Sequence, residues 1–277
     1  MMPQASLLLV TDLDGTLLDH QDYHWQAAEP ALAMARSRGV PVVINSSKTL
    51  AECRLLQWQL DIEAPIIFEN GAGVALPRRD WPGTDSSEPD NDLADDFRVK
   101  AMATPYDQVR EVLLGLRRQG FRFTGFGDMG EAEISAATGL SPQNAVNARR
   151  RRFSEPLAWE DSDSNLKLFT DELRNAGLTQ VRSGRFIQVM GTADKGRAML
   201  WLANQYAPPR PRLAVLGDSA NDISMLMKAD IAVLVRCPAH PLPDFPENRK
   251  PPRLVITDEP GPHGWRRAVV SILEEFL

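Results

Sequence analysis

Short apolar runs, each closed by Gly, Pro or polar residues, recur toward both ends of the chain, at positions 7–10, 40–44, 65–68, 213–216, 231–235 and 254–256. They are rich in Val, Ile and Leu and lack the in-out alternation of a sheet with one wet face, the pattern of parallel strands covered on both sides. Between them lie stretches whose apolar positions follow helical spacing, at 25–38, 50–60, 196–206, 223–229 and 264–276. Strand alternating with helix predicts an α/β fold with a doubly wound, Rossmann-like parallel sheet. In such a sheet ligands gather beyond the carboxyl ends of the strands.

The middle of the chain has another texture. Residues 81–96 are rich in Pro, Ser and Asp and read as a linker. Beyond them, strands are expected at 101–103, 122–125 and 186–189, and helices at 106–119, 131–138 and 166–176. These predict a smaller α+β cap domain inserted into the larger unit, with the core formed by 1–85 and 191–277 and the cap by 86–190. A length of 277 residues suits one large and one smaller domain.

Candidate chemistry sits where the strands end. The first apolar run leads into Thr11-Asp12-Leu13-Asp14-Gly15-Thr16, and in an extended segment residues two apart face the same way, so Asp12 and Asp14 can address one site. Buried carboxylates there need a cation, and the backbone carbonyl of Asp14 is free to help hold it. A second acidic cluster, Gly217-Asp218-Ser219-Ala220-Asn221-Asp222, follows another apolar strand some two hundred residues later. Oxygen-only ligation favours Mg²⁺ over zinc. As a structural alternative, each cluster is a capping turn.

Together with Asn45-Ser46-Ser47-Lys48-Thr49 after the second apolar run, and Asp194-Lys195-Gly196 ahead of a helix, these segments resemble the four motifs of the haloacid dehalogenase superfamily of phosphatases. The resemblance implies that Asp12 is the nucleophile that becomes an aspartyl-phosphate. It makes Asp14 the general acid and then base, Ser46 the hydroxyl that holds the phosphoryl group, and Lys195 the charge-spreading amine. Mg²⁺ would be held by Asp12, Asp14, Asp218 and Asp222, the last as a ligand or as an anchor behind the ligands. Ser47 is able to share the duty of Ser46, Lys48 to touch the substrate, and Asn221 to orient one of these groups. Glu69-Asn70-Gly71 reads first as a hairpin turn, although many related phosphatases carry Asn-Gly at the matching place.

The central segments 125–129, 133–134, 138–140 and 152–157 resemble, within that superfamily, the mannosyl-3-phosphoglycerate phosphatase family. This implies hydrolysis of a glycosyl-3-phosphoglycerate, with mannosyl favoured and glucosyl open. Arg152 and Arg185 are then candidates for the substrate carboxylate. Phosphomannomutase-like phosphotransfer, another sugar-phosphate phosphatase and a catalytically silent binding protein are the competing readings.

Composition narrows the partners. With 31 Lys and Arg against 37 Asp and Glu the net charge is −6, and no basic stripe with interleaved aromatics is present, so nucleic acid is not expected as a partner. Cys53 and Cys237 build no disulfide framework or zinc motif and read as packing residues. The Arg149 to Arg152 run reads as partly solvated surface, and His20, His24, His240 and His263 as incidental. No run approaches the roughly 20 apolar residues that span a bilayer, and the N-terminal residues lack the features of a signal peptide. A soluble cytoplasmic protein acting on a small phosphorylated sugar-glycerate is expected, of unspecified oligomeric state.

Overall fold

The structure, a computed structural model, describes residues 3–81, 96–183, 185–246 and 251–276; most of the expected linker lies outside them. An eight-stranded sheet carries β1 (Leu7–Thr11), β2 (Val42–Asn45), β3 (Ile66–Phe68), β4 (Gly73–Pro77), β5 (Phe97–Ala101), β10 (Arg212–Gly217), β11 (Ile231–Arg236) and β12 (Leu254–Pro260). Its order is β12-β11-β10-β1-β2-β3-β4-β5. The first six strands of that order are parallel, and β4 and β5 close the edge antiparallel. Every residue of β1 and β2 is buried, as the unbroken apolar runs require.

Helices α1 (Glu29–Ser37), α2 (Leu50–Gln59), α7 (Lys195–Ala203), α8 (Ile223–Leu226) and α9 (His263–Phe276) belong to this unit. Thr49 starts α2 with a reciprocal capping box: its side chain accepts from the Glu52 amide while Glu52 accepts from the Thr49 amide. Asp194 caps α7 by accepting from the Arg197 amide. Trp265 of α9 is fully buried and donates its indole N–H to Thr11 Oγ1 at 2.9 Å, while Thr11 Oγ1 donates to the Asp12 carbonyl at 2.7 Å. A helix from the far end of the chain thus braces the turn after β1.

A second, four-stranded antiparallel sheet has the order β6-β7-β9-β8, from β6 (Phe123–Gly125), β7 (Ser154–Trp159), β8 (Leu178–Ser183) and β9 (Phe186–Gly191). It packs with α3 (Tyr106–Arg118) and α6 (Asp163–Asn175) around Val109, Leu113, Leu157, Phe169, Leu173 and Val189. Helices α4 (Glu131–Thr138) and α5 (Pro142–Arg149) build a small cluster of their own with Phe126, Ile134 and Ala145.

The strand expected at 101–103 meets the structure only at Ala101, the last residue of β5, which pairs with β4 in the large sheet rather than with the small one. Sequence pattern missed β4, β7, β8 and α5. In β7, Pro156 argues against a strand, yet it pairs with Gln188 of β9 while β6 reaches only as far as Leu157, so no ladder bond is asked of the missing N–H on that side. For α5 a signal was available: Ser141 accepts from the Asn144 amide and Pro142 stands at the first helical position. No described helix is long and apolar enough to cross a membrane.

Candidate active site

Four neighbouring strands, β10, β1, β2 and β3, end on the same edge of the large sheet, and the residues that follow them meet there. Asp12 follows β1, Ser46 and Ser47 follow β2, Asn70 follows β3 and Asp218 follows β10. Lys195, at the first position of α7, is 1% exposed and donates to Asp12 Oδ1 at 2.8 Å and to Asp222 Oδ1 at 2.7 Å. An amine at a helix N-terminus works against the helix dipole, and the two carboxylates outweigh both that and burial, holding the amine protonated well above its usual range. Asn45 donates to the Lys195 carbonyl at 3.1 Å and fixes its backbone.

The acids converge. Ligand atoms of Asp12, Asp218 and Asp222 lie within 4.8 Å of one another, all three residues buried. Burial, together with the charges of Asp222 and Asp218, raises the Asp12 carboxyl well above the ordinary range despite Lys195. Burial and Asp222 raise Asp218 as well. Three carboxylates converge and only two of them meet the Lys195 ammonium, an arrangement that fits a divalent cation. Asp218 is held by Thr16 Oγ1 at 2.7 Å. Asp222 spends Oδ2 on the amides of Asp218 and Ser219, each at 3.1 Å, and Oδ1 on Lys195, so its place is behind the other acids. Gly15 has φ +81°, and a Cβ there would stand 2.6 Å from Asp218 Oδ2.

Asp14 lies beyond the end of β1, so a turn rather than an extended strand aims it. Its carboxylate takes Lys48 Nζ at 2.8 Å and is not part of the converging trio. Lys48 pairs with that acid instead of lining the cleft, and its ammonium stands 5.3 Å from the centre of the Tyr23 ring. The cleft, about 730 Å³, is lined by Asp12, Asp14, Ser47, Asn70, Asp218 and Asn221 together with residues from the small sheet and from the segment after β11. Ser46 is buried with its hydroxyl accepting from the Lys48 amide at 3.3 Å, while Ser47 faces the cleft. Neither serine caps α2, since Thr49 does.

The matching family model over residues 9–94 is that of haloacid dehalogenase-like hydrolases, and a second, sucrose-6F-phosphate phosphohydrolase, matches 127–256. Two curated relatives, from Methanococcoides burtonii and Persephonella marina, bear the name glucosyl-3-phosphoglycerate/mannosyl-3-phosphoglycerate phosphatase. They are 32% and 33% identical, over 96% and 98% of this chain and 97% and 98% of their own lengths. The chain belongs to the haloacid dehalogenase-like hydrolases. Within that family it is a phosphoric monoester hydrolase. Solved structures agree on the fold. A Thermotoga maritima protein superposes with a TM-score of 0.66 at 17% identity, covering 96% of this chain and 97% of its own. A Bacteroides thetaiotaomicron member of the superfamily's phosphatases gives 0.63 at 18%, covering 98% and 95%.

In this hydrolase the small sheet reaches into the site at several points. Asn70, left-handed at φ 58°, donates to Gln188 Oε1 of β9 at 2.9 Å and accepts from Asn221 Nδ2 at 3.3 Å. The turn is therefore both the hairpin read from Asn-Gly and a wall of the cleft. Its neighbour Glu69 is buried and accepts from the amides of Arg152 and Phe153 at 2.9 and 3.0 Å and from Ser154 Oγ at 2.6 Å. Arg151 donates to the Ser47 carbonyl at 3.1 Å.

Of the two arginines expected to meet a substrate carboxylate, neither Arg152 nor Arg185 is among the cleft residues; Arg182, on β8, is. Sequence reasoning also missed His240, which stands 2.9 Å from Asp218 Oδ2, and His20 and Tyr23, which line the cleft. Arg182 stands three residues before Arg185, on β8, whereas Arg185 lies in the turn just before β9. For His240 no spacing signal existed, because its partner lies 22 residues earlier across a sheet crossover.

Proposed function

We propose that this hydrolase releases phosphate from a glycosyl-3-phosphoglycerate, mannosyl or glucosyl, with Mg²⁺ as cofactor and Asp12 as nucleophile. The observation that carries the reading is a single cleft lined both by Asp12, which the buried Lys195 pairs from behind, and by Arg182 of the small sheet. A substrate with a phosphoryl group at one end and a carboxylate at the other suits that division. The full-length similarity to phosphatases named for such substrates supports it.

An oxygen of Asp12 attacks phosphorus in line, the ester P–O bond breaks, and the departing alkoxide takes a proton from Asp14. Asp14 then accepts a proton from the water that attacks the aspartyl-phosphate, freeing phosphate and restoring the Asp12 carboxylate. Lys195 occupies one oxygen of Asp12 and so orients the other. Ser46 and Ser47 offer hydroxyl and amide donors to the phosphoryl oxygens, Ser47 from the cleft wall. Lys48 fixes Asp14, and Asn70 with Asn221 lines the side on which the substrate enters. Mg²⁺ would be held by Asp12, Asp218 and the Asp14 carbonyl, with Asp222 anchoring, and would neutralise charge on the phosphoryl group. The four-stranded unit with its helices serves as the cap that excludes water.

A panel of sugar phosphates and glycosyl-3-phosphoglycerates, assayed for free phosphate with and without EDTA, tests this. Turnover is expected with the phosphoglycerates and its loss with EDTA. Mannose-6-phosphate with a trace of bisphosphate should yield phosphate or nothing; an isomerised sugar would favour phosphotransfer instead.

A further inference from the structure

Behind the acid cluster a second set of donors shares Asp218. The segment that follows β11 turns back over the site, so that one ligand atom from each of Asp218, Cys237 and His240 lies within 4.8 Å of the others. Cys237 is buried, and His240 is half-buried at the wall of the cleft. The bonding of the imidazole is informative. Its Nδ1 stands 3.1 Å from the Pro241 carbonyl and its Nε2 2.9 Å from Asp218 Oδ2. A carbonyl only accepts, so the first bond puts a proton on Nδ1 and leaves Nε2 as the ring nitrogen that faces the carboxylate.

The sulfur faces the same acid, since the Cys237 thiol hydrogen-bonds to the Asp218 carboxylate and three donor types meet there. Nitrogen, thiol sulfur and carboxylate together are the donor set of zinc, not of magnesium. A backbone carbonyl on the other ring nitrogen is the usual support of a metal-ligating histidine. The oxygen-only cluster of Asp12, Asp218 and Asp222 suits a hard ion instead. Two sites of different hardness therefore meet at one aspartate.

We propose that Asp218, Cys237 and His240 form a regulatory site for a thiophilic divalent cation of the zinc class, which stops hydrolysis by drawing Asp218 away from the catalytic cation. Three protein donors leave a fourth tetrahedral position for water. Binding displaces the Cys237 proton to solvent, and a thiolate–metal bond forms in its place. The inhibitory half rests on the assignment of Asp218 to the catalytic cation; the binding half does not.

The probes are Co²⁺ and Zn²⁺ added singly to the whole protein in saturating Mg²⁺. With Co²⁺, a near-ultraviolet thiolate-to-metal charge-transfer band is expected in the parent and its loss in Cys237→Ser. With Zn²⁺, competition against a chromogenic chelator should show one site. Cys237→Ser and His240→Gln should each weaken it by about tenfold or more. Because Cys237 does not line the cleft, Cys237→Ser should keep the parent's Mg²⁺-supported turnover while losing sensitivity to Zn²⁺. A parent without the thiolate band, or Zn²⁺ affinity unchanged in Cys237→Ser, overturns the site, and the parent spectrum decides even if a variant does not fold. A thiolate band in a protein inactive on every phosphoglycerate would uphold the binding and sink the catalytic reading alone.

Discussion

Lys195 and Asp12 depend on each other because neither tolerates burial alone. Asp12→Asn keeps the shape, removes the attacking charge and leaves Asp222 to pair Lys195, so turnover should fall by roughly 10⁴-fold or more while the thermal midpoint holds. A parent-like rate from that variant would remove Asp12 from the chemistry. Lys195→Ala does the opposite. It leaves Asp12 and Asp222 without their shared ammonium in a buried space, and stability without divalent cation should fall by about 3–5 kcal/mol, read from a urea titration. A loss under about 1 kcal/mol would mean that water reaches the acids and screens them. At Gly15 the left-handed backbone and the 2.6 Å approach to Asp218 act together. Gly15→Ala should lower the melting temperature and raise the Mg²⁺ concentration needed for half-maximal rate.

At the scale of elements, the junction between the sheets is held by Glu69, whose carboxylate meets three donors from residues 152–154. Glu69→Gln turns an amide NH₂ toward at least one of those donors. It should cost about 1–3 kcal/mol in denaturant unfolding and raise KM more than it lowers kcat, because the cleft wall shifts and the nucleophile does not. Equal loss in both constants would place Glu69 in the chemistry. None of this junction was legible in the chain. The motif residues Asp12, Lys195 and Asp218 were, because each directly follows an apolar strand or begins a helix, and strand order then brings them together. Arg182 and His240 were not, because they reach the site by tertiary folding from a hairpin and from a loop that carry no periodicity. The β7 strand was hidden by Pro156, and β5 was assigned to the small unit because only its pairing with β4 tells where it belongs.

At the scale of the whole molecule, the acids at the sheet edge make stability depend on pH in a way that divalent cation should alter. Asp12 and Asp218 are both held above the ordinary carboxyl value of 3.8, in each case chiefly by burial. At these two groups the folded protein therefore binds more protons than the unfolded chain from about pH 3.8 up to the raised values. Stability falls as pH climbs through that window, because the slope follows the protons of the unfolded state minus those of the native one. Divalent cation binds the ionised acids of the folded state alone and stabilises it increasingly as pH rises, so Mg²⁺ should flatten or reverse the slope. Urea unfolding at several pH values from 4 to 8, with Mg²⁺ and with EDTA, measures both curves. Parallel curves would mean that the ion does not sit on these carboxylates. Asp218→Asn should bring the two curves together by removing one raised acid and one ligand at once, and a variant that still separates them would assign the ion to other residues.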